Sequence, residues 1–162
     1  MGNSHKKLKN VYGEPLKSCA KNYEIGGSWD SQGFCSEKEG GVHTICVNNI
    51  SKNAKNFSSK TGQSKWSAAR GKSNHCVCLG AWSLYSAKEN NQNTNVLKCD
   101  AIPGFIFDHS YYDSWNKWNG IEKQNQIKNG LDNLYNICKD QADGNKKLKK
   151  LNKNYLKLKK KI

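Results

Sequence analysis

The stretch NHCVCLGAW, residues 74–82, holds the sharpest change of local pattern in the chain. HCVCL (75–79) is short and apolar, which is typical of a buried strand. AWSLYSAKE (81–89) follows, and its Trp82 and Tyr85 have the spacing that places two side chains on one face of a helix. The stretch therefore predicts a core strand that turns into a helix at Trp82.

The elements predicted on either side of this stretch define the fold class. VHTICV (42–47) and NVLKCDAI (95–102) have the apolar, β-branched character of two more strands. A helix is predicted from Ser51, as its N-cap, through Thr61. A second is predicted over residues 121–139, where the apolar side chains recur at helical spacing. Those side chains are Ile127, Leu131, Leu134, Tyr135 and Cys138. The pattern predicts an α+β fold: one compact domain with a short sheet, packed helices and basic terminal arms.

The net charge of +14 is concentrated at the two ends of the chain. Residues 146–162 contain nine lysines and residues 1–10 contain three, with no acidic residue in either segment. The rest of the chain carries a net charge of only about +2, so affinity for polyanions belongs to the ends. We therefore expect a flexible basic arm (1–10), a Cys/His-containing α+β domain (11–140) and a Lys-rich amphipathic tail (141–162).

The tail carries an apolar stripe as well as its charge. Its large apolar residues recur at intervals of three and four, so that a helix would carry them along one side. They are Leu148, Leu151, Tyr155, Leu158 and Ile162. Three roles are open: packing of the stripe on the tail's own domain, contact with a protein or nucleic acid, and a less favoured peripheral contact with an anionic membrane. The candidate polyanion-binding residues are Lys146, Lys147, Lys149, Lys150, Lys153, Lys157, Lys159, Lys160 and Lys161.

The cysteine content is high, and the expected redox state follows from the compartment. No stretch reaches the roughly 18 apolar residues of a transmembrane segment, and the N-terminus lacks the apolar region of a signal peptide. We therefore expect a reducing compartment, in which thiols or metal ligands are favoured over structural disulfides. The chain has seven cysteines, an odd number, so at least one is not paired within the chain.

Several short motifs occur in a characteristic order along the chain. GEPLKSC (13–19) precedes a Gly-rich loop that ends in GFC (33–35), and GVHTICV (41–47) follows. A Phe-Ser helix and a G-Q-S turn lead to GKSNHCVCLGAW (71–82), and then to NVLKC (95–99). No single motif is specific for a protein family, whereas the order and spacing of the motifs together are specific.

Over about residues 10–101 the chain resembles the domain of unknown function family twenty-two thirty-seven, found mainly in bacteria and also in some algae and large DNA viruses. The Cys and His positions match the family pattern. Lys72, His75 and Ala81 stand where the family has an acid, a Trp and an Arg, so chemistry that depends on those groups is not expected here. With the AT-biased abundance of Asn and Lys, the resemblance implies a viral or virion-associated component, intracellular or virion rather than secreted.

The cysteines and histidines allow three interpretations. Zinc would need about four thiolate or imidazole ligands, although the spacing here differs from the common C-x₂₋₄-C pairs. Functional thiols or disulfides would pair Cys35 with Cys46 or with one thiol of the CxC motif. In the third interpretation the cysteines are small buried hydrophobic residues beside Trp82. The candidate metal or disulfide residues are Cys35, His43, Cys46, Cys76 and Cys78, with His75 as a further possible ligand.

The function predicted from the sequence is a small accessory or structural protein with a Cys/His-lined core and a basic tail that contacts an anionic partner. The chain contains no P-loop, dinucleotide-binding, HExxH or GxSxG motif, which favours a non-catalytic role. The alternative is a thiol-redox or metal-dependent enzyme. On a strand Cys76 and Cys78 share a face, and His43 on a neighbouring strand could activate one of them.

Overall fold

The computed structural model describes residues 8–20, 30, 32–35, 43–89, 93–115, 117–118, 121–122 and 124–162. Most of the predicted basic arm and much of the Gly-rich loop before His43 lie outside these residues. The described part combines α-helices, short 3₁₀ turns and two small antiparallel sheets. The predicted α+β fold class is confirmed.

The described residues form four strands, six α-helices and three 3₁₀ turns. The strands are β1 (Ile45–Val47), β2 (His75–Val77), β3 (Lys117–Trp118) and β4 (Ile121–Glu122). The α-helices are α1 (Ile50–Asn53), α2 (Phe57–Lys60), α3 (Leu79–Lys88), α4 (His109–Ser114), α5 (Gln124–Gln141) and α6 (Asn145–Lys159). The 3₁₀ turns are Trp66–Arg70, Cys99–Ala101 and Gly104–Phe107.

The central sheet is smaller than the sequence predicts. β1 and β2 pair antiparallel, with Cys46 directly opposite Cys76. The predicted third strand (95–102) contributes one bridge, between Leu97 and Val47. The chain leaves the sheet there because it turns into the 3₁₀ turn Cys99–Ala101. The prediction of three full strands is therefore wrong, although the three segments do meet.

The single helix predicted over residues 51–61 is two short helices. Asn49 and Asn56 adopt left-handed backbone conformations, with φ of 44° and 58°, and each precedes one of the helices. Asparagine tolerates this conformation better than most residues, so Asn56 can interrupt the helical path. Ser51 lies inside α1 and donates its hydroxyl to the carbonyl of Gly71 instead of capping the helix.

The long helices form the second layer, and α3 packs closely on α5. The Trp82 indole N–H donates to the carbonyl of Gly130 at 2.9 Å. A Cβ placed on Gly130 would lie 2.9 Å from Cα of Ser83, so only glycine permits this approach. Gly130, which weakens the helix prediction from the sequence, is thus the point where two helices touch.

The Lys-rich tail forms α6, which packs on the rest of the described molecule. Leu151 and Leu158 are buried, and the rings of Tyr135 on α5 and Tyr155 on α6 stack with centroids 3.7 Å apart. The Tyr155 hydroxyl also donates to the carboxylate of Asp132 at 2.8 Å. The apolar stripe is therefore used within the chain. In the part of the chain that the structure describes, no helix has the length and apolar character needed to cross a membrane.

Candidate functional site

Six of the seven cysteines form three disulfides. They are Cys19–Cys46, Cys35–Cys76 and Cys99–Cys138. The expectation that thiols would be favoured over structural disulfides is wrong for these six residues. All six are fully buried, so each bond ties together segments of the hydrophobic core.

Two of the disulfides lie side by side at the centre of the sheet. Cys46 and Cys76 are cross-strand partners, yet each is bonded to a cysteine outside the sheet, Cys19 and Cys35 respectively. The sulfurs of Cys19, Cys35 and Cys46 all lie within 4.8 Å of one another. We call the four residues of these two disulfides, Cys19, Cys35, Cys46 and Cys76, the four-sulfur cluster. Cys35 does bond to one thiol of the CxC motif, as one of the sequence interpretations expects.

Cys78 has a different role from Cys76. Because β2 ends at Val77, Cys78 is the N-cap of α3 and does not continue the strand. Its half-buried sulfur accepts a hydrogen bond from the backbone N–H of Ala81 at 3.3 Å. The two thiols of the CxC motif therefore do not form one functional pair: Cys76 is in a disulfide and Cys78 caps a helix.

A cleft of about 230 Å³ lies beside the CxC motif. Its lining includes His43, Trp66, Arg70, His75 and Cys78. The predicted ligand set thus divides between two places. Cys35 and Cys46 lie in the four-sulfur cluster, His43 and Cys78 line the cleft, and Cys76 borders both.

The buried imidazole in this cleft is held in its neutral form. His75 is 4% exposed, and its ring lies over the indole of Trp66 with centroids 4.3 Å apart. Burial, together with the nearby charges of Arg70 and His43, lowers the pKa of His75 to about 3. A general acid or base works best with a pKa near the operating pH, so His75 is poorly suited to proton transfer.

Cys19 belongs to the four-sulfur cluster, although it is not among the candidate site residues predicted from the sequence. Its backbone N–H donates to the carbonyl of Gly33 at 2.8 Å, which joins the loops that carry Cys19 and Cys35. The Asn74 side chain also donates to the carbonyl of Cys19 at 2.7 Å. These contacts come from residues distant in sequence, so spacing alone does not reveal them.

The second candidate site is the solvent side of α6. Seven lysines there are exposed, and we call them the lysine face: Lys146, Lys149, Lys150, Lys153, Lys157, Lys160 and Lys161. Successive residues of an α-helix are about 100° apart, so the five of these side chains that belong to α6 lie within an arc of about 100°, on the side away from Leu151 and Leu158. Lys160 and Lys161 follow in the turn after the helix. The face extends over about 22 Å at a rise of about 1.5 Å per residue.

The other two lysines of the tail flank the lysine face and form ion pairs. Lys147 lies 2.6 Å from Asp143 and 3.4 Å from Glu14. Lys159 lies 3.0 Å from Asp132. The nine lysines of the sequence prediction therefore separate into two that attach α6 to its own domain and seven that point to solvent.

Comparisons with known proteins add no relative. A scan against protein-family models, a search of curated proteins and a search of solved structures each returned no match.

Proposed function

We propose that this protein is a non-catalytic accessory or structural domain that binds the phosphate backbone of nucleic acid through the lysine face of α6. The observation that carries the proposal is the orientation of this helix. Its apolar stripe is buried in the chain, which leaves seven lysines together in solvent.

The chemistry of the lysine face suits a regular array of phosphates. Lysine is a compact point charge without the fork geometry of arginine, so it contacts phosphates without selecting a base sequence. A ridge about 22 Å long can follow several successive phosphates. Asp132 and Asp143 at its flanks pair with Lys159 and Lys147. Asp108 lines a cleft beside Lys157 and Lys161, and it is the acid that competes with phosphate at this end of the face. The proposed binding is thus electrostatic and independent of sequence.

An anionic membrane fits the same face less well. A helix that lies on a membrane inserts its apolar side into the lipid. In α6 that side is already buried, and Leu156 is the one large hydrophobic side chain that is exposed among the described residues. One leucine beside seven lysines supplies little insertion energy.

The disulfides and the buried histidine support a non-catalytic role. Cys76 is bonded to Cys35, so its sulfur is not available as the nucleophile of the alternative enzyme hypothesis. His75 lines the same cleft as Cys78, but burial lowers its pKa, which makes it a weak base for activating that thiol. We therefore assign the described residues the role of a rigid support for α6, and not that of a reaction centre.

Binding is tested by fluorescence anisotropy with a labelled DNA duplex of mixed sequence. Seven phosphate contacts predict an affinity loss of roughly 10³- to 10⁴-fold between 50 and 200 mM salt. Replacing five lysines with glutamine should reduce both the affinity and this salt dependence. The five are Lys146, Lys149, Lys150, Lys153 and Lys157.

The matched control removes the same charge from other exposed positions. Its five glutamine substitutions are at Lys52, Lys55, Lys65, Lys72 and Lys139. This variant should retain most of the affinity. An equal loss in both variants would show binding to diffuse charge and contradict the proposal, as would binding to phosphatidylserine vesicles without binding to DNA.

A further inference from the structure

We propose that, once its disulfides are reduced, the four-sulfur cluster is a tetrathiolate zinc site. The ligands are Cys19, Cys35, Cys46 and Cys76. This set differs from the one that the sequence suggests, because it includes Cys19 and excludes His43 and Cys78. The inference concerns a second chemical state of the core and does not depend on the function proposed for α6.

Three of the four sulfurs are already close to the spacing that zinc requires. Structural zinc sites take four ligands in a tetrahedron with Zn–S distances of about 2.3 Å, which places the sulfurs about 3.8 Å apart. The sulfurs of Cys19, Cys35 and Cys46 lie within 4.8 Å of one another, and Cys76 is bonded to Cys35. Reduction lets the bonded sulfurs separate, and shifts of about 1 Å bring those of Cys19, Cys35 and Cys46 to ligand distance. The Cys76 sulfur, which is outside that group of three, has to approach further once its bond to Cys35 is broken.

The cluster is held by contacts other than the disulfides. Cys46 and Cys76 are opposite each other on β1 and β2, which are also joined by the pairing of their backbones. The loops of Cys19 and Cys35 are joined by the hydrogen bond from Cys19 N–H to the carbonyl of Gly33. The buried Asp30 carboxylate accepts hydrogen bonds from the N–H groups of Gln32 and Phe34, which orders the approach to Cys35. The four ligands can therefore remain together when the covalent bonds are lost.

The surroundings provide access and positive charge. A polar cleft of about 500 Å³ borders Cys19, and three lysines and two carboxylates also line it: Lys72, Lys98, Lys147, Asp100 and Asp143. Four thiolates and one Zn²⁺ carry a net charge of −2, which nearby ammonium groups stabilise. The Lys98 ammonium donates to the carbonyl of Ser18, the residue before Cys19, at 2.6 Å, which keeps its charge beside a ligand residue.

The chemical balance requires a reductant of the dithiol class. Two equivalents of dithiol transfer four electrons and four protons to the two disulfides, which gives four cysteine thiols and two oxidised dithiols. Zn²⁺ then displaces the four thiol protons to solvent as four Zn–S bonds form. The metal is not oxidised or reduced.

The test uses the full chain, reduced with dithiothreitol and freed of it under nitrogen, and titrated with Co²⁺ as a spectroscopic substitute for Zn²⁺. We expect one cobalt per chain, with the d–d bands of tetrahedral cobalt and thiolate-to-cobalt charge transfer, and displacement by Zn²⁺. X-ray absorption of the zinc form should show four sulfur neighbours at about 2.3 Å. Failure to bind, or a first shell that contains nitrogen or oxygen, would overturn the proposal.

Variants identify the ligands under the same reducing conditions, in which every variant lacks disulfides. Cys19→Ser should abolish the tetrathiolate spectrum. The Cys99→Ser/Cys138→Ser double variant and Cys78→Ser should retain it, because these cysteines lie outside the cluster. Loss of the spectrum in either control, or its persistence in Cys19→Ser, would show that other cysteines bind the metal.

Discussion

At the scale of single residues, His75 shows how far the fold can change a side chain from its behaviour in water. The ring is buried between the sheet and the indole of Trp66. Burial lowers its pKa from 6.5 to about 3, with added repulsion from Arg70 and His43. The folded protein therefore holds His75 neutral at a pH where the unfolded chain protonates it.

Replacing His75 with phenylalanine should make the protein less sensitive to acid. Between about pH 6.5 and pH 3 the unfolded state binds the His75 proton and the folded state does not. The contribution of His75 to the free energy of unfolding has its full value above pH 6.5. It falls by up to about 1.4 kcal/mol per pH unit as the pH is lowered from 6.5 to 3. Phenylalanine keeps an aromatic ring against Trp66 but has no titrating group. Urea unfolding at several pH values measures the slope.

His109→Phe is the matched control, because His109 lies in α4, away from Trp66, and pairs with Asp113 at the surface. This variant should keep the acid dependence of the parent protein. Equal slopes for the parent and His75→Phe would show that His75 does not cause the loss of stability in acid.

Single residues also show what local sequence patterns leave undetermined. The cysteines stand out in the sequence, but six paired cysteines allow 15 disulfide arrangements, and the correct one depends on contacts between distant segments. Gly130 is unfavourable within a helix by its propensity alone. Its benefit, the close approach of Ser83, exists only after α3 and α5 have packed.

At the scale of elements, α6 owes its position to its two buried leucines. Leu151 and Leu158 are fully or almost fully buried, whereas Leu156 is 54% exposed. The other attachments of the helix are polar or aromatic: they include the Tyr155 ring and hydroxyl, the hydrogen bond from Tyr135 to Asn152, and the ion pairs of Lys147 and Lys159. Exposed ion pairs contribute little, so burial of the apolar stripe provides most of the docking energy.

Leu151→Ala should therefore destabilise the protein strongly, and Leu156→Ala should not. Removing a buried leucine leaves a cavity and costs about 2 to 5 kcal/mol, whereas an exposed leucine costs about 0.5 kcal/mol or less. The two substitutions remove the same atoms from the same helix. Urea unfolding of both oxidised variants provides the comparison, and a similar free-energy loss in the two would contradict the docking of α6 through its apolar stripe.

Element predictions succeed where one local pattern dominates. The predicted helix over 121–139 corresponds to α5 from Gln124 onward, whereas Ile121 and Glu122 form β4. The change from strand to helix near Trp82 corresponds to β2 and α3. The segment 51–61 differs because Asn56 takes a left-handed conformation in the middle of it. The segment 95–102 differs because only Leu97 reaches β1 before the chain turns. Apolar spacing does not report either event.

At the scale of the whole molecule, disulfides connect the sheet layer to the helical layer. Cys99 belongs to a 3₁₀ turn that follows the bridge to β1, and Cys138 belongs to α5. The Tyr12 hydroxyl strengthens this junction by donating to the carbonyl of Cys138 at 2.6 Å. The Cys99–Cys138 bond thus restrains the two layers relative to each other.

Replacing Cys99 and Cys138 together with alanine should lower the free energy of unfolding without changing the fold. The bond closes a loop with a sequence separation of 39, for which the loss of unfolded-state entropy predicts a stabilisation of about 4 kcal/mol. Cys78→Ala is the control, because it removes a sulfur that caps a helix and closes no loop. Thermal and urea unfolding should show a much larger effect for the double variant. Equal effects would show that Cys99–Cys138 does not stabilise the fold by restraining the unfolded chain.

The sequence by itself determined the α+β class, the change from strand to helix near Trp82, the extent of α5 and the apolar stripe of α6, because these depend on residues only a few positions apart. Only the tertiary structure decided that Cys46 lies opposite Cys76, that each bonds to a cysteine of a distant loop, and that the stripe of α6 faces inward. The physical reason is that pairing and docking depend on which distant segments bury one another's surfaces. That choice also placed four sulfurs together in the core and seven lysines together in solvent.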